Sequence, residues 1–185
     1  MTHDLFPEVQ PHNGNPDENQ RFTIPRALDW CRRMAGVREF DLDVAACEES
    51  HHAHLWYGKA ENGLRMPWFG DVFCNPPWDD IGPWVEKAWR EMRWPIGAAP
   101  GPQQVNSVAM LLPGDRTHRR WWRDFVEPHR DGRNFDGPPL REAAVQLSTH
   151  FAPERFPYGG PGNPAGIGTA EPNFTSCLLL WRRNA

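Results

Sequence analysis

Val72-Phe73-Cys74-Asn75-Pro76-Pro77-Trp78-Asp79-Asp80 reads as a strand, a rigid turn and the start of a helix. The apolar run feeds the turn, and Asp79-Asp80 can cap the next helix. In an open α/β sheet, ligands gather at the carboxyl ends of strands. The turn carries chemistry of its own. An Asn side-chain oxygen and a proline carbonyl both accept hydrogen bonds, and proline has no N–H to compete. Two consecutive prolines hold φ near about −65° and keep those acceptors in place. Trp78 adds a flat face on which a base can stack, worth about 1–3 kcal/mol. This set suits a planar exocyclic amine. The adenine amino group is a poor nucleophile because its lone pair is delocalised into the ring. Two acceptors aimed at its hydrogens draw the nitrogen toward a tetrahedral, nucleophilic state. Preorganised polar groups of this kind are worth about 100- to 1000-fold in rate each. The competing reading is a proline-rich turn that only ends a strand.

Upstream, Thr23 offers an N-cap and Pro25 a first helical position, with Ile24, Leu28, Cys31 and Met34 at helical spacing and Gly36 as the stop. Residues 38–44 alternate as a strand, while 45–70 has room for a short helix and a short strand. Downstream, Ile81, Val85, Ala88, Trp89 and Met92 form a helical stripe. Val105–Leu112 reads as a buried strand, Thr117–Val126 as a helix, and Ala143–Leu147 and Phe174–Trp181 as strands. Residues 95–104, 128–139 and 157–172 read as loops, and the last is long enough to carry function. Strands alternate with helices through the first two-thirds of the chain, which predicts an α/β fold. Residues 1–20, rich in Asn, Pro, Asp and Glu, read as a flexible arm. Residues 21–185 read as a single domain.

The chain has 185 residues and a formal charge of −4, so nucleic-acid contact must come from a local basic patch. Its 20 prolines imply long loops or arms, and its 10 tryptophans imply large aromatic surfaces to bury or to stack. The four cysteines are scattered and read as free thiols in a reducing compartment. No apolar stretch is long enough for a bilayer, and the first residues lack a signal-peptide core. The expected location is cytoplasmic, with no membrane partner.

Two further groups carry chemistry. Asp41-Leu42-Asp43-Val44-Ala45-Ala46 ends the first strand. Acids there, followed by small residues, can meet a cofactor's ammonium or ribose hydroxyls, or can be solvated acids at a strand edge. Asp41, Asp43, Ala45 and, heading the next strand, Asp71 are the candidate cofactor contacts. Leu112–Arg123 is the densest basic stretch, with Arg116, Arg119, Arg120 and Arg123 interleaved with Trp121 and Trp122. It suits phosphate contact and stacking, or a helix with solvated arginines and inward tryptophans. Cys47, His51, His52 and His54 lack the second cluster that a zinc site needs, so no metal is expected. No G-x-S-x-G elbow, Walker A lysine motif or G-x-G-x-x-G fingerprint occurs.

In order along the chain stand Thr23-Ile24-Pro25, Leu42–Ala46, Gly63-Leu64 with Trp68 and Gly70, Asn75–Trp78, Trp84 with Lys87-Ala88, and Leu111-Leu112-Pro113 with Arg116-Thr117 and Trp121-Trp122. This series resembles the phage-type, Dam-like DNA N6-adenine methyltransferases over roughly residues 20–182. The resemblance implies a Rossmann-like methyltransferase fold with a mostly parallel sheet and S-adenosylmethionine as methyl donor. It also implies adenine flipped out of double-stranded DNA as the substrate. Asn75, Pro76, Pro77 and Trp78 would then hold and stack the adenine. Thr23 and Pro25 would lie near the methionine part of the cofactor, and Asp43 and Ala45 would line its pocket. Two alternatives stay open. One is a methyltransferase for another planar amine, such as cytosine N4, an RNA adenine or a protein glutamine. The other is a catalytically silent nucleic-acid-binding protein of the same fold.

Overall fold

Apolar residues on successive strands alternate between two layers, and that alternation builds the molecule. The computed structural model describes residues 21–93, 104–132 and 145–183. The expected arm 1–20, most of loop 95–104 and residues 133–139 of loop 128–139 lie outside them.

The elements run α1 (Pro25–Ala35), β1 (Phe40–Asp43), β2 (Ala53–Trp56), β3 (Gly70–Cys74), α2 (Gly82–Arg93), β4 (Val105–Pro113), α3 (Arg120–Phe125), β5 (Val145–Phe151) and β6 (Ser176–Arg183). They form an α/β architecture around one six-stranded sheet, ordered β2-β1-β3-β4-β6-β5. The pairs β1–β2, β1–β3 and β3–β4 are parallel. Strand β6 runs antiparallel between β4 and β5, so the sheet is mixed.

Within β3, Val72 and Cys74 face one apolar layer and Phe73 the other. Strand β4 repeats this with Val108, Met110 and Leu112 against Ala109 and Leu111. Strand β6 does so with Cys177, Leu179 and Trp181 against Leu178 and Leu180. A sheet covered on both faces needs such continuous apolar runs. Helix α1 covers one face through Ala27, Leu28 and Cys31. On the other face, Trp84, Val85, Ala88 and Met92 of α2 and Trp122 of α3 form the cover. Three buried tryptophans satisfy their indole N–H: Trp68 donates to Gly63 O at 2.8 Å, Trp89 to Phe125 O at 2.8 Å and Trp122 to Glu127 Oε2 at 3.0 Å.

Several boundaries differ from the sequence reading for identifiable reasons. Ile24, not Thr23, is the N-cap of α1 and offers no side-chain cap. Pro25 takes the first position, where its missing N–H costs nothing. Gly36 ends α1 in the left-handed conformation, φ 67°. Helix α3 is shorter than Thr117–Val126, because Arg116–Arg119 forms a separate turn closed by Arg119 N–H donating to Arg116 O at 3.0 Å. Strands β5 and β6 extend beyond their apolar cores because they pair along their whole length. Among the described residues no helix is long and apolar enough to cross a membrane.

Candidate active site

The connections from β1 and β3 leave in opposite directions: β1 leads to β2 on one side and β3 to β4 on the other. Ligands favour the carboxyl ends of strands at such a point of reversal. Two sequence candidates meet there, because Asp43 ends β1 and Asn75 follows the end of β3, with Asp43 registered against Phe73.

Asn75 has one satisfied end and one orphaned end. Its Nδ2 donates to Arg21 O at 2.6 Å and to Thr23 Oγ1 at 3.0 Å. Its Oδ1 is buried and accepts nothing. Buried polar atoms are almost always paired, so an acceptor held in place without a donor marks a place where a donor is due. Pro76 is buried, and Pro77 is exposed at φ −55° ahead of a short turn spanning Trp78–Asp80. At that turn Trp78 is half-buried and packs against both apolar layers. Tyr158 and Phe174 meet its ring edge-on at centroid distances of 4.8 and 5.4 Å. The Arg21 guanidinium lies over it at 5.7 Å.

An open cavity of about 670 Å³ adjoins this ring, lined by Arg21, Trp78, Phe174 and the segment around Tyr158–Asn163. Sequence reasoning does not single out Arg21, Tyr158 or Phe174 as site residues. The expectation that loop 157–172 is functional covers Tyr158 alone of the three. Tyr158 is a fixed wall, since its hydroxyl shares a 2.7 Å hydrogen bond with Ser176 Oγ and burial pushes its pKa up to about 12.

The acidic candidates take different places. Asp41 and Asp71 sit toward the starts of β1 and β3, away from Asn75. There Asp41 Oδ2 accepts from Asp71 N–H at 2.7 Å, and Asp71 Oδ1 accepts from Ser107 Oγ at 2.6 Å. Asp43 is at the carboxyl edge but is buried, with its two oxygens taken by Ala45 N–H at 3.3 Å and His52 N–H at 3.0 Å. It folds the chain from Ala45 to His52 back over the end of β1. Pro25 is exposed at the head of α1, and Ala45 is half-buried beside Asp43.

Burial raises the Asp43 carboxyl to a pKa of about 7. It lowers the His52 imidazole to about 4, helped by the positive charge of Arg32 and His51. These act on stability with opposite signs. Between pH about 4 and 7, folded Asp43 keeps a proton that the unfolded chain has released, so its contribution falls as pH rises. Between pH about 4 and 6.5, folded His52 lacks a proton that the unfolded chain carries, so its contribution grows as pH rises. The two slopes offset each other. Relative to wild type, Asp43→Asn is expected to gain urea stability as pH rises through this window, and His52→Gln to lose it. Slopes of the same sign in both variants would remove this account.

The buried thiols are not nucleophiles, because burial raises Cys31, Cys74 and Cys177 above the ordinary range. Cys47 bridges Ser50 in a tight turn, His51 stacks on Trp56, and His52 meets Phe73 edge-on. Among the described residues no three His, Cys, Asp or Glu side chains gather as a metal site.

The basic stretch follows β4, the neighbour of β3, and so lies at the same edge of the sheet. Trp121 packs against Gly82, the first residue of α2. Arg119 and Arg123 are exposed, and neither forms an ion pair among the described residues. Arg120 pairs with Asp124 at 3.1 Å, and half-buried Arg116 leans toward Asp115 at 3.5 Å.

The family model for DNA N-6-adenine-methyltransferase (Dam) matches residues 16–131, more than half of the chain. The chain belongs to that family. No curated protein matches it. The matched residues hold the Asn75–Trp78 turn, the strand ends beside it and the basic stretch. The cavity's far wall, from Tyr158 to Phe174, lies beyond the family match, as do β5 and β6.

Proposed function

We propose that this protein transfers a methyl group from S-adenosylmethionine to the N6 amine of adenine in DNA. The observation that carries the reading is the orphaned Asn75 Oδ1. Family membership and the sheet order support it. Four parallel strands with a reversal between β1 and β3, followed by one antiparallel strand inserted before the edge, suit a Rossmann-like methyltransferase fold.

The residues fit this chemistry at the acceptor side. A neutral exocyclic amine has two hydrogens, and Asn75 Oδ1 with the Pro76 carbonyl provides two acceptors for them. Aligning both hydrogens draws the amine lone pair out of conjugation, and fixed dipoles do this without reorganisation during the reaction. Trp78 stacks the base, and the cavity beside it receives a nucleotide turned out of the duplex. For the donor, half-buried Ala45, just past the carboxyl end of β1, would border the pocket. When bound, S-adenosylmethionine supplies an electrophilic methyl group carried on sulfur. Asp43 acts from behind, holding the Ala45–His52 turn in place.

Methyl-tritiated donor offered separately with DNA, RNA and protein tests this reading. Label in DNA, recovered as N6-methyladenine after digestion, is the expected result. Label only in RNA, in protein or at cytosine N4 would move the activity to another planar amine. No label with any substrate would favour a silent binding protein. Arg119 and Arg123, exposed beside the site, are assigned to phosphates. Replacing both with Gln is expected to reduce the slope of log affinity against log salt by about 2, roughly 0.9 per phosphate contact. The Arg120→Gln change is expected to do less, since Asp124 already engages that guanidinium. An unchanged salt slope in the double variant would remove this stretch from the interface.

A further inference from the structure

We propose that Thr23 is a positioning residue for the acceptor amide, part of a strap that sets which way Asn75 points. The proposal rests on the methyl-transfer reading above and assigns Thr23 a partner within the protein, Asn75, in place of the cofactor contact expected from sequence.

An Asn amide has two nearly isosteric ends, and only its surroundings decide which end faces a ligand. Here the decision is chemical. The Arg21 carbonyl can only accept, so it takes Nδ2 at 2.6 Å and excludes Oδ1. Thr23 Oγ1 accepts from the same nitrogen at 3.0 Å. Thr23 is 2 % exposed, so water does not replace its hydroxyl freely. With both acceptors on one side, the oxygen is turned to the other. A flipped amide would present N–H to the substrate's own N–H and lose the activation.

The strap is itself held from far along the chain. Phe22 and Gly159 exchange two backbone hydrogen bonds, Phe22 N–H to Gly159 O at 3.1 Å and Gly159 N–H to Phe22 O at 3.0 Å. Gly159 must lack a side chain, since a Cβ there would stand 2.2 Å from Pro164 O. Tyr158, anchored on Ser176, fixes the next residue. So the aim of the family-matched Asn75 is delivered by Arg21–Thr23 and backed by a segment beyond the family match.

Two readouts test this, one of them independent of activity. The first is nuclear magnetic resonance of the Asn75 side-chain amide in the ligand-free protein, assigned by its disappearance in Asn75→Ala. One Nδ2 proton is expected to lose exchange protection in Thr23→Val and to keep it in Thr23→Ser. Gly159→Ala, which displaces the strap, is expected to shift the same resonance from a distance. Unchanged amide signals in Thr23→Val would overturn the proposal even if the wild type methylated nothing. The second readout is kinetic. Thr23→Val is expected to lower kcat by about 10- to 100-fold with KM for the donor unchanged, and Thr23→Ser to restore kcat. A raised KM for the donor at unchanged kcat would overturn the positioning role and return Thr23 to the cofactor. A wild type without methyl transfer would sink the proposed function instead, leaving the amide measurement to decide the strap.

Discussion

Asn75→Ala is expected to lower methyl transfer to DNA by about 100- to 1000-fold while leaving the protein folded. The variant removes the buried acceptor that no protein donor satisfies. It also removes two hydrogen bonds to the strap, and a typical net hydrogen bond is worth about 1 kcal/mol. Thermal unfolding by circular dichroism is therefore expected to shift by only a few degrees. The core on both sides of β3 stays packed, because Val72, Phe73 and Cys74 supply it. Asn75→Asp is expected to be as inactive, for another reason. A carboxylate has no N–H for the Arg21 carbonyl, so the strap would be repelled. Tritium incorporation close to wild type in Asn75→Ala would sink the assignment of the turn.

The second large effect concerns Trp78. Trp78→Ala is expected to cost about 10- to 100-fold in kcat/KM for DNA, the equivalent of roughly 1–3 kcal/mol of stacking. Trp78→Phe is expected to retain most of it. The ring already carries a planar cation, the Arg21 guanidinium at 5.7 Å, so a flat group can be accommodated against it. Tyr158 and Phe174 pack nearly perpendicular to it, so the alanine variant also loosens the cavity wall. The phenylalanine variant separates these contributions, because it keeps an apolar ring at the position. An equal loss in both variants would point to the indole N–H, itself buried and unpartnered, in place of the stacking face.

The strand–turn–helix around Asn75 is legible in the sequence because its signals are local. A run of alternating faces, two prolines and a helical stripe each act within a few residues. The strap is not legible there. Thr23 has the look of an N-cap because Ser, Thr, Asp and Asn before a helix usually serve that role. Its hydroxyl instead meets a side chain 52 positions away, and no local pattern encodes that distance. Likewise Asp41 and Asp71 are attractive as acids at strand ends. Parallel register places them side by side toward the start of their strands, where each satisfies a neighbour.

Strand direction is equally hidden. The apolar pattern of β6 is the same whether it runs parallel or antiparallel to β4, since side chains alternate with period two in either case. By itself the sequence determined the alternation that buries both faces of the sheet, the elbow at Asn75 and the chemical types arrayed along it. Those arise from backbone restriction at proline and from the pleat, which act on neighbours. Only the tertiary structure decided which end of the Asn75 amide is free, which acids are spent on holding strands together and what walls the cavity beside Trp78. Each of these is settled by a partner distant in the chain, and hydrogen bonding and burial answer to distance in space alone.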